Sequence, residues 1–198
     1  GNRGRKEGVG LFTGALMARY PWLPVEEDGR LHDPLLRENF VERVFALHEL
    51  NALRARGLTR HGLLAFHSRY KLQLLAHHQA GYREIGPFVA SLHEWEDLEA
   101  FFEVYREKLM AILKQPASRK NHTNVLMHIQ GYFRDQLNSR QRGELREVIL
   151  NYRAGLLPIL APLTLLKHYL AEYPDRYLQA QNYFDPYPQD LALRLTVN

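Results

Sequence analysis

The stretch AFHSRYKLQLLAHH, residues 65–78, decides the fold because it combines helical leucine spacing with basic residues on the same helix face. At 100° per residue, the apolar side chains within about 60° of one direction are Leu63, Leu64, Leu74 and Leu75. The basic and imidazole side chains within about 20° of that direction are Arg60, His67, Lys71 and His78. A buried ammonium without a partner is too costly to persist, so Lys71 is expected to reach a carboxylate, a cavity or a bound anion.

A second predicted helix, over residues 118–138, repeats this arrangement. Its apolar side consists of Val125, Leu126, Ile129, Phe133 and Leu137, and His122 points into the middle of that side, with Arg119 just off it. If the two helices pack together, we expect His67, Lys71, Arg119 and His122 to converge on a positively charged pocket, which is typical of a phosphate or nucleotide site. A buried polar network, satisfied inside the protein, explains the same pattern equally well.

Helix start and stop signals are frequent along the chain, whereas strand signals are scarce. Asp33 and Pro34 predict the start of a helix that ends at Gly57, and Thr59 predicts the cap of the next, which runs to about Gln79. A third helix is expected to be interrupted near Gly86 and Pro87. Further helices are predicted over about 94–115, 118–138, 139–155 and 163–173, with a short one after Asp175. The expected fold is all-α, an irregular multi-helix bundle of about seven to eight helices with a short N-terminal extension.

Composition narrows the functional classes. The chain has 198 residues, 45% of them apolar, which is enough to bury a sizeable core. It has no cysteine, so disulfides, thiolate nucleophiles and cysteine-held metal clusters are excluded within these residues. No apolar run reaches the roughly 18 residues of a membrane span, and the polar start does not resemble a signal peptide. We therefore expect a cytoplasmic protein that does not enter a membrane.

The basic residues are mostly arginine. The net charge is +4, and the 26 basic residues comprise 20 Arg and 6 Lys. Arginine pairs bidentately with phosphate and stacks on bases, although surface Arg–Glu pairs explain the same composition. Neither a G-x-S-x-G motif nor a phosphate-binding loop or dinucleotide fingerprint is present, and the ten histidines form no HExxH. We therefore expect neither a catalytic group nor a metal site.

Several long stretches resemble one family, the YbgA-type helical domain of unknown function. They are LLAFHSRYKLQLLAH, YREIGPFVA, NHTNVLMHIQGYF and ILNYRAGLLPILAPLTLLKHYLAEYPDRYLQAQNYFDPYP. The resemblance extends in order over about residues 33–198. The preceding GVGLFTGALMARYPWLPVEEDGRL resembles the end of a TudS-like thiouracil desulfurase domain. The predicted organisation is therefore 1–32, the tail of a preceding desulfurase-like domain plus a connector, and 33–198, the helical domain.

The resemblance implies a function in RNA modification. Such fusions are similar to bacterial tRNA 4-thiouridine desulfidases, in which a cysteine-bound [4Fe-4S] cluster in the N-terminal domain removes sulfur and the helical domain engages the tRNA. This chain lacks the cluster cysteines. We therefore expect no cofactor and no catalysis in the chain alone, and its expected partners are tRNA and the N-terminal desulfurase-like domain.

The expected nucleic-acid-binding residues are those of the two basic helices. They are Arg60, His67, Arg69, Lys71, Arg119, Lys120, Asn121, His122 and Asn124. Two other functions remain open. One is an enzyme or sensor that binds a small anionic nucleotide and uses His67 or His122 as acid or base. The other is a purely structural helical domain.

Overall fold

All regular structure is helical in the computed structural model, which describes residues 10–191, 193 and 194. The α-helices in this part of the chain are α1 Leu11–Arg19, α2 Pro34–Ala55, α3 Arg60–His77, α4 Gln79–Ala90, α5 Leu98–Lys114, α6 Arg119–Gly131, α7 Ser139–Arg153, α8 Leu160–Glu172 and α9 Arg176–Ala180. The expected all-α class is confirmed. Over the described residues, no helix has the length and apolar character needed to cross a bilayer.

The helices begin where side-chain caps satisfy their first N–H groups. The Asp33 carboxylate accepts hydrogen bonds from Leu35 and Leu36, and Pro34 occupies the first helical position of α2. Thr59 accepts a 3.0 Å bond from the N–H of Gly62 and so caps α3. Both predicted caps are confirmed.

Helix α4 continues through Pro87, so the predicted interruption at Gly86 and Pro87 is wrong. Proline removes one N–H from the helix ladder, and the carbonyl four residues earlier belongs to Arg83. Arg83 and Pro87 are both exposed, so water can take the place of the missing donor. The buried face of α4, which carries Ile85 and Val89, is unaffected.

Helix α6 ends at Gly131, seven residues before the predicted end at Asn138. The chain then makes tight turns, in which the N–H of Phe133 donates to the Gln130 carbonyl at 3.0 Å. Arg142 from α7 donates to the Arg134 carbonyl at 3.0 Å, which satisfies a group that the turn leaves open. The apolar periodicity of the sequence extends past the end of the helix, because Phe133 in the turn is also buried in the core.

Helix α3 is buried on most sides because two hydrophobic cores share it. Phe66 and Leu74 pack with residues of α2, α4 and α5 in the first core. Leu72 and Ala76 belong to the second core, which α6, α7 and α8 complete. The single apolar stripe expected for this helix is therefore wrong, and Leu64 from that stripe is 48% exposed.

A glutamine side chain from beyond α9 forms two hydrogen bonds with the backbone of α3. The Gln181 amide nitrogen donates to the Ser68 carbonyl at 2.6 Å, and the N–H of Leu72 donates to the Gln181 side-chain oxygen at 3.2 Å. The carboxamide thus bonds to two backbone groups that lie four residues apart on one side of α3. Because Leu72 and Gln181 are buried, water does not reach these groups as a substitute.

Replacement of this glutamine should cost stability. Gln181→Ala removes two long-range hydrogen bonds to the backbone of α3, so we expect the free energy of unfolding to fall by about 1–3 kcal/mol, measured by urea denaturation. Gln179→Ala, at an exposed position of α9, is the matched control and should change stability by less than about 0.5 kcal/mol. Equal losses in the two variants would contradict the role assigned to the Gln181 carboxamide.

Candidate functional site

A cavity of about 360 Å³ lies between α2, the amino end of α6, the carboxyl end of α7 and the last described residues. Its volume falls within the range of small-ligand sites, roughly 300–1,000 Å³. The charged and imidazole side chains that line it are Glu38, Glu42, His77, Arg119, His122 and Arg194. Apolar side chains, including Leu35 and Ile159, form the rest of the wall.

Glu42 and His77, two of these lining side chains, form a buried ion pair. The Nδ1 of His77 donates to the Gln115 carbonyl at 2.7 Å, and its Nε2 lies 2.5 Å from the Glu42 carboxylate. Burial opposes the charge on both groups. The attraction between them nevertheless raises the pKa of His77 above its ordinary value and lowers the pKa of Glu42. We therefore assign an imidazolium to His77 and a carboxylate to Glu42.

Arg194 is held between the two carboxylates of α2. Its Nε donates to Glu38 at 3.2 Å and its Nη1 donates to the Tyr183 carbonyl at 2.9 Å, whereas its Nη2 lies 3.5 Å from Glu42 without making a hydrogen bond. The Tyr187 hydroxyl also donates to Glu38, at 2.7 Å. Burial and the nearby charge of Glu42 raise the pKa of Glu38. One guanidinium thus serves two carboxylates, and its Nη2 contacts Glu42 without a hydrogen bond to any described residue.

His122 and Arg119 come from the first turn of α6. The Nδ1 of His122 shares a 2.7 Å hydrogen bond with the Tyr183 hydroxyl, and burial together with the charge of Arg194 lowers the pKa of His122 to about 3. Arg119 donates to the Tyr152 carbonyl at 2.8 Å, and its guanidinium lies 5.4 Å from the centre of the Tyr152 ring. Within the described residues Arg119 makes no ion pair. The cavity therefore contains a neutral imidazole and a cation that no acid of the described residues neutralises.

The charges around the cavity do not cancel. The carboxylates of Glu38 and Glu42 are matched by the Arg194 guanidinium and the His77 imidazolium, which leaves Arg119 as the surplus cation. The walls thus present hydrogen-bond donors and acceptors together with a net positive charge. This combination suits a polar ligand that carries an anionic group. A histidine with a pKa near 3 is a weak general base at neutral pH, so the geometry favours binding over acid–base catalysis.

Two of the predicted binding residues of α6 lie at this cavity. Arg119 and His122 line it. Lys120 follows Arg119 in the first turn and is exposed, and Asn124 is also exposed. Asn121 is partly buried, and its N–H donates to the Ser118 hydroxyl that caps the helix.

The predicted binding residues of α3 do not line the cavity. Arg60, at the first position of α3, donates to the Trp95 carbonyl at 2.5 Å. The guanidinium of Arg69 lies 5.5 Å from the centre of the Phe66 ring. Lys71 is partly buried and makes no ion pair with the residues that the structure describes. The basic side chains of α3 therefore lie apart from the cavity.

His67 is turned towards α5. Its Nδ1 shares a 2.9 Å hydrogen bond with the Tyr105 hydroxyl, and burial together with the charge of Lys71 lowers the pKa of His67 to about 4. The expected meeting of His67 and Lys71 with the basic residues of α6 is therefore wrong. The physical reason is that another face of α3, carrying Leu72 and Ala76, packs towards α6.

Most of the charged network could not be predicted from the sequence. Glu38 and Glu42 are four residues apart in α2, so they share a helix face with buried Asn39 and Ala46, and this spacing was the one available signal. His77 is one of ten histidines, and no sequence motif sets it apart. Arg194 had no local signal, because its two acidic partners, Glu38 and Glu42, lie more than 150 residues away.

The residues present do not fit a metal or cluster. Among residues 10–191, 193 and 194, no group of three or more His, Asp or Glu side chains is arranged to hold a metal ion. With no cysteine in the sequence, the chain also offers no thiolate to the [4Fe-4S] cluster that the desulfidase resemblance implies. Any such cluster therefore belongs to a different domain.

Glu26, which precedes α2, forms ion pairs within the described part of the chain. Its carboxylate lies 3.2 Å from Arg30 and 3.9 Å from Arg43.

Part of the chain that lines the cavity matches a known protein family. The family described as "Protein of unknown function (DUF1722)" matches residues 71–188, a span that includes His77, Arg119 and His122. A protein of Escherichia coli (strain K12) described as "Uncharacterized protein YbgA" is 51% identical over 152 residues, which cover 77% of this chain and 90% of that protein. No solved structure matches the chain.

Removal of one member of the buried ion pair should be costly. Glu42→Ala leaves His77 and Arg194 without their carboxylate in a buried place, so we expect the free energy of unfolding to fall by about 3–5 kcal/mol in urea denaturation. The exposed pair of Arg140 and Glu144 provides the control, and Glu144→Ala should cost less than about 1 kcal/mol. A similar loss in both variants would mean that the network does not stabilise the fold.

The neutral buried histidines should make the protein acid-sensitive. The folded pKa values of His67 and His122, about 4 and about 3, lie below the ordinary value of 6.5, so the unfolded chain binds their protons first. Stability should therefore be complete above pH 6.5 and fall on acidification by about 1.4 kcal/mol per pH unit for each histidine. The pKa of His77 is shifted in the opposite direction, above 6.5. Well below pH 6.5, His77 is therefore protonated in both the folded and the unfolded chain.

The measurement is urea denaturation at intervals between pH 6.5 and pH 5. His67→Asn combined with His122→Asn keeps a side-chain nitrogen or oxygen near each Nδ1 position and should flatten the slope. His48→Asn, at an exposed position of α2, is the control and should leave the slope unchanged. An unaltered slope in the double variant would contradict the assignment of neutral rings.

Proposed function

The chain belongs to the DUF1722 family and is a YbgA-type domain, and we propose that it is a tRNA-binding module. In this proposal the helices hold the tRNA by its phosphates and present a thiolated uridine to a separate iron–sulfur domain, which removes the sulfur. The proposal places the protein in the cytoplasm, together with the tRNA. The observation that carries it is the uncompensated Arg119 at a cavity of nucleotide size.

Exposed cations beside the cavity support the proposal. Arg37, Lys120 and Arg153 are exposed, and each is next in sequence to a residue that lines the cavity. We call these three residues the rim cations. Within the described residues none of them pairs with an acid, so their charges are available to an outside anion. Lysine and arginine at a surface of this kind favour contacts with the phosphates of a nucleic acid.

The cavity favours an unpaired nucleotide over a duplex. Proteins read RNA sequence largely on single-stranded bases that leave the stack and enter a pocket. A uracil ring presents one N–H between two acceptor positions. The cavity wall provides acceptors, such as Glu38, as well as donors, such as Arg119. This mixture is what a uridine or thiouridine base requires, whereas a site for phosphate alone needs only donors.

The segment before α2 supports a partner domain. Helix α1 has no buried residue, and Leu11 and Phe12 are 96% and 81% exposed. Apolar side chains of this size are normally covered, so α1 suits a surface against which another domain packs. We therefore propose that residues 1–32 continue from a desulfurase-like domain. That domain would carry the [4Fe-4S] cluster, for which this chain has no cysteine.

Salt dependence tests the proposal. Filter binding should give a higher affinity for bulk tRNA than for duplex DNA, and a log–log plot of the tRNA binding constant against salt should fall by about 0.7–0.9 per neutralised phosphate. Lys120→Gln with Arg153→Gln should weaken tRNA binding and reduce the slope by roughly one to two units.

Arg56→Gln is a control for the loss of one positive charge, against which the effect per removed charge in the double variant is compared. Arg56 is exposed and lies at the carboxyl end of α2, about 27 Å along the helix from Glu38 at 1.5 Å per residue. This variant loses a positive charge far from the cavity and should leave tRNA affinity nearly unchanged. Equal affinity for tRNA and duplex DNA, or equal losses in the rim and control variants, would overturn the proposal.

A further inference from the structure

A second cavity, of about 480 Å³, lies between α1, the segment that joins α1 to α2, and α2 itself. Asn39 is the one described residue that lines both this cavity and the first, so the two are neighbours with largely separate walls. The apolar part of the wall consists of Met17, Val25, Leu36 and Pro116. The charged side chains of the wall are Glu26, Glu27, Arg30, Arg43 and Lys114.

Arg43 is buried in this wall and makes no hydrogen bond to any described residue. Its side chain is only 6% exposed, and its Nε is enclosed without an acceptor. Among the described residues one carboxylate, that of Glu26, comes within 4 Å of the guanidinium. It lies 3.9 Å from Nη2, too far for a hydrogen bond, and it is already paired with Arg30 at 3.2 Å. A buried guanidinium whose five N–H donors find no acceptor in the protein requires one from outside.

The part of Arg43 that stays accessible faces cavities. Arg43 lines the second cavity and also a smaller one of about 100 Å³, which Trp22 and Met110 line as well. The guanidinium carbon lies 5.8 Å from the centre of the Phe40 ring, a contact that orients the group. Water in the cavity accepts hydrogen bonds from this guanidinium but does not neutralise its charge. An anion in the second cavity does both.

The charges and the apolar wall of the second cavity define the class of anion. Three cations and two carboxylates line it, which leaves one surplus positive charge. One surplus charge matches a singly charged carboxylate, which a guanidinium binds with two parallel hydrogen bonds. A doubly charged phosphate fits less well, because Glu26 and Glu27 repel its second charge. The apolar side chains suit a hydrocarbon attached to the carboxylate.

We propose that the second cavity binds a small carboxylic acid that carries a hydrocarbon chain. The carboxylate lies on the guanidinium of Arg43, and the hydrocarbon packs against Met17 of α1 and Leu36 of α2. Such a ligand joins α1, which has no buried residue of its own, to the rest of the helices. The proposal goes beyond RNA binding and does not depend on it.

Four probes test the ligand class by NMR titration of the whole chain at constant ionic strength. Hexanoate should bind, and hexanamide, which lacks the charge, should bind at least about tenfold more weakly. Acetate should also bind more weakly than hexanoate, because it buries less apolar surface. If hexyl phosphate binds more tightly than hexanoate, the assignment to a carboxylate is wrong. If hexanoate does not bind, the site itself is wrong.

Variants locate the site. Arg43→Met keeps the aliphatic part of the side chain and should weaken hexanoate binding at least about tenfold, whereas Arg43→Lys should retain part of the affinity. Arg56→Gln, which removes an exposed charge at the far end of α2, should change the affinity less than about twofold. Hexanoate binding that is unaffected by Arg43→Met would overturn the proposal.

A second variant tests the hydrocarbon end of the site and does not depend on the folding of Arg43→Met. Met17 lies in α1, which buries no residue, so Met17→Gln should leave the fold intact. It should weaken hexanoate binding and leave acetate binding unchanged, because acetate does not reach the apolar wall. An equal effect on the two ligands, or no effect on either, would contradict the placement of the hydrocarbon between α1 and α2.

Discussion

Charged groups that are shut away from water link three distant parts of this chain. Glu38 and Glu42 come from α2, His77 from the end of α3 and Arg194 from beyond α9. Removing such charges from water costs several kcal/mol each unless each finds a partner, so the network is stable only when all three segments are in place. The fold therefore depends on a long-range match of charge as well as on its apolar cores.

The segment after α9 connects the two cores to this network. Its first residue, Gln181, bonds through its side chain to the backbone of α3, which both cores share. Further along, Tyr183 bonds to His122 and Tyr187 to Glu38, so successive residues of one segment contact three different helices. Two of their partners, His122 and Glu38, line the cavity, as does Arg194 of the same segment. Some of the polar groups that hold the segment in place are thus also ones that a ligand would meet.

The cavity combines a satisfied network with one uncompensated cation. Glu42 and His77 neutralise each other, and His122 stays uncharged, so these side chains act mainly as a shaped polar wall. Arg119 is different, because its guanidinium pairs with no acid among the described residues. Its position at the cavity is the physical reason for the proposal that an anionic ligand binds there.

The sequence by itself determined the helical class and most helix starts, because a cap such as Asp33 or Thr59 bonds to an N–H only two or three residues away. It also identified Arg119 and His122 as unusual, since each lies on or beside the apolar side of its helix. Only the tertiary structure decided which charges meet. His77 and Glu42 are 35 residues apart and Arg194 and Glu38 are 156 apart, and these pairings follow from how the helices pack. The same packing directs His67 towards Tyr105 and places Pro87 on an exposed face, where it does not break α4. The reason is that neighbouring helices, and not a helix's own periodicity, decide which way each of its faces points.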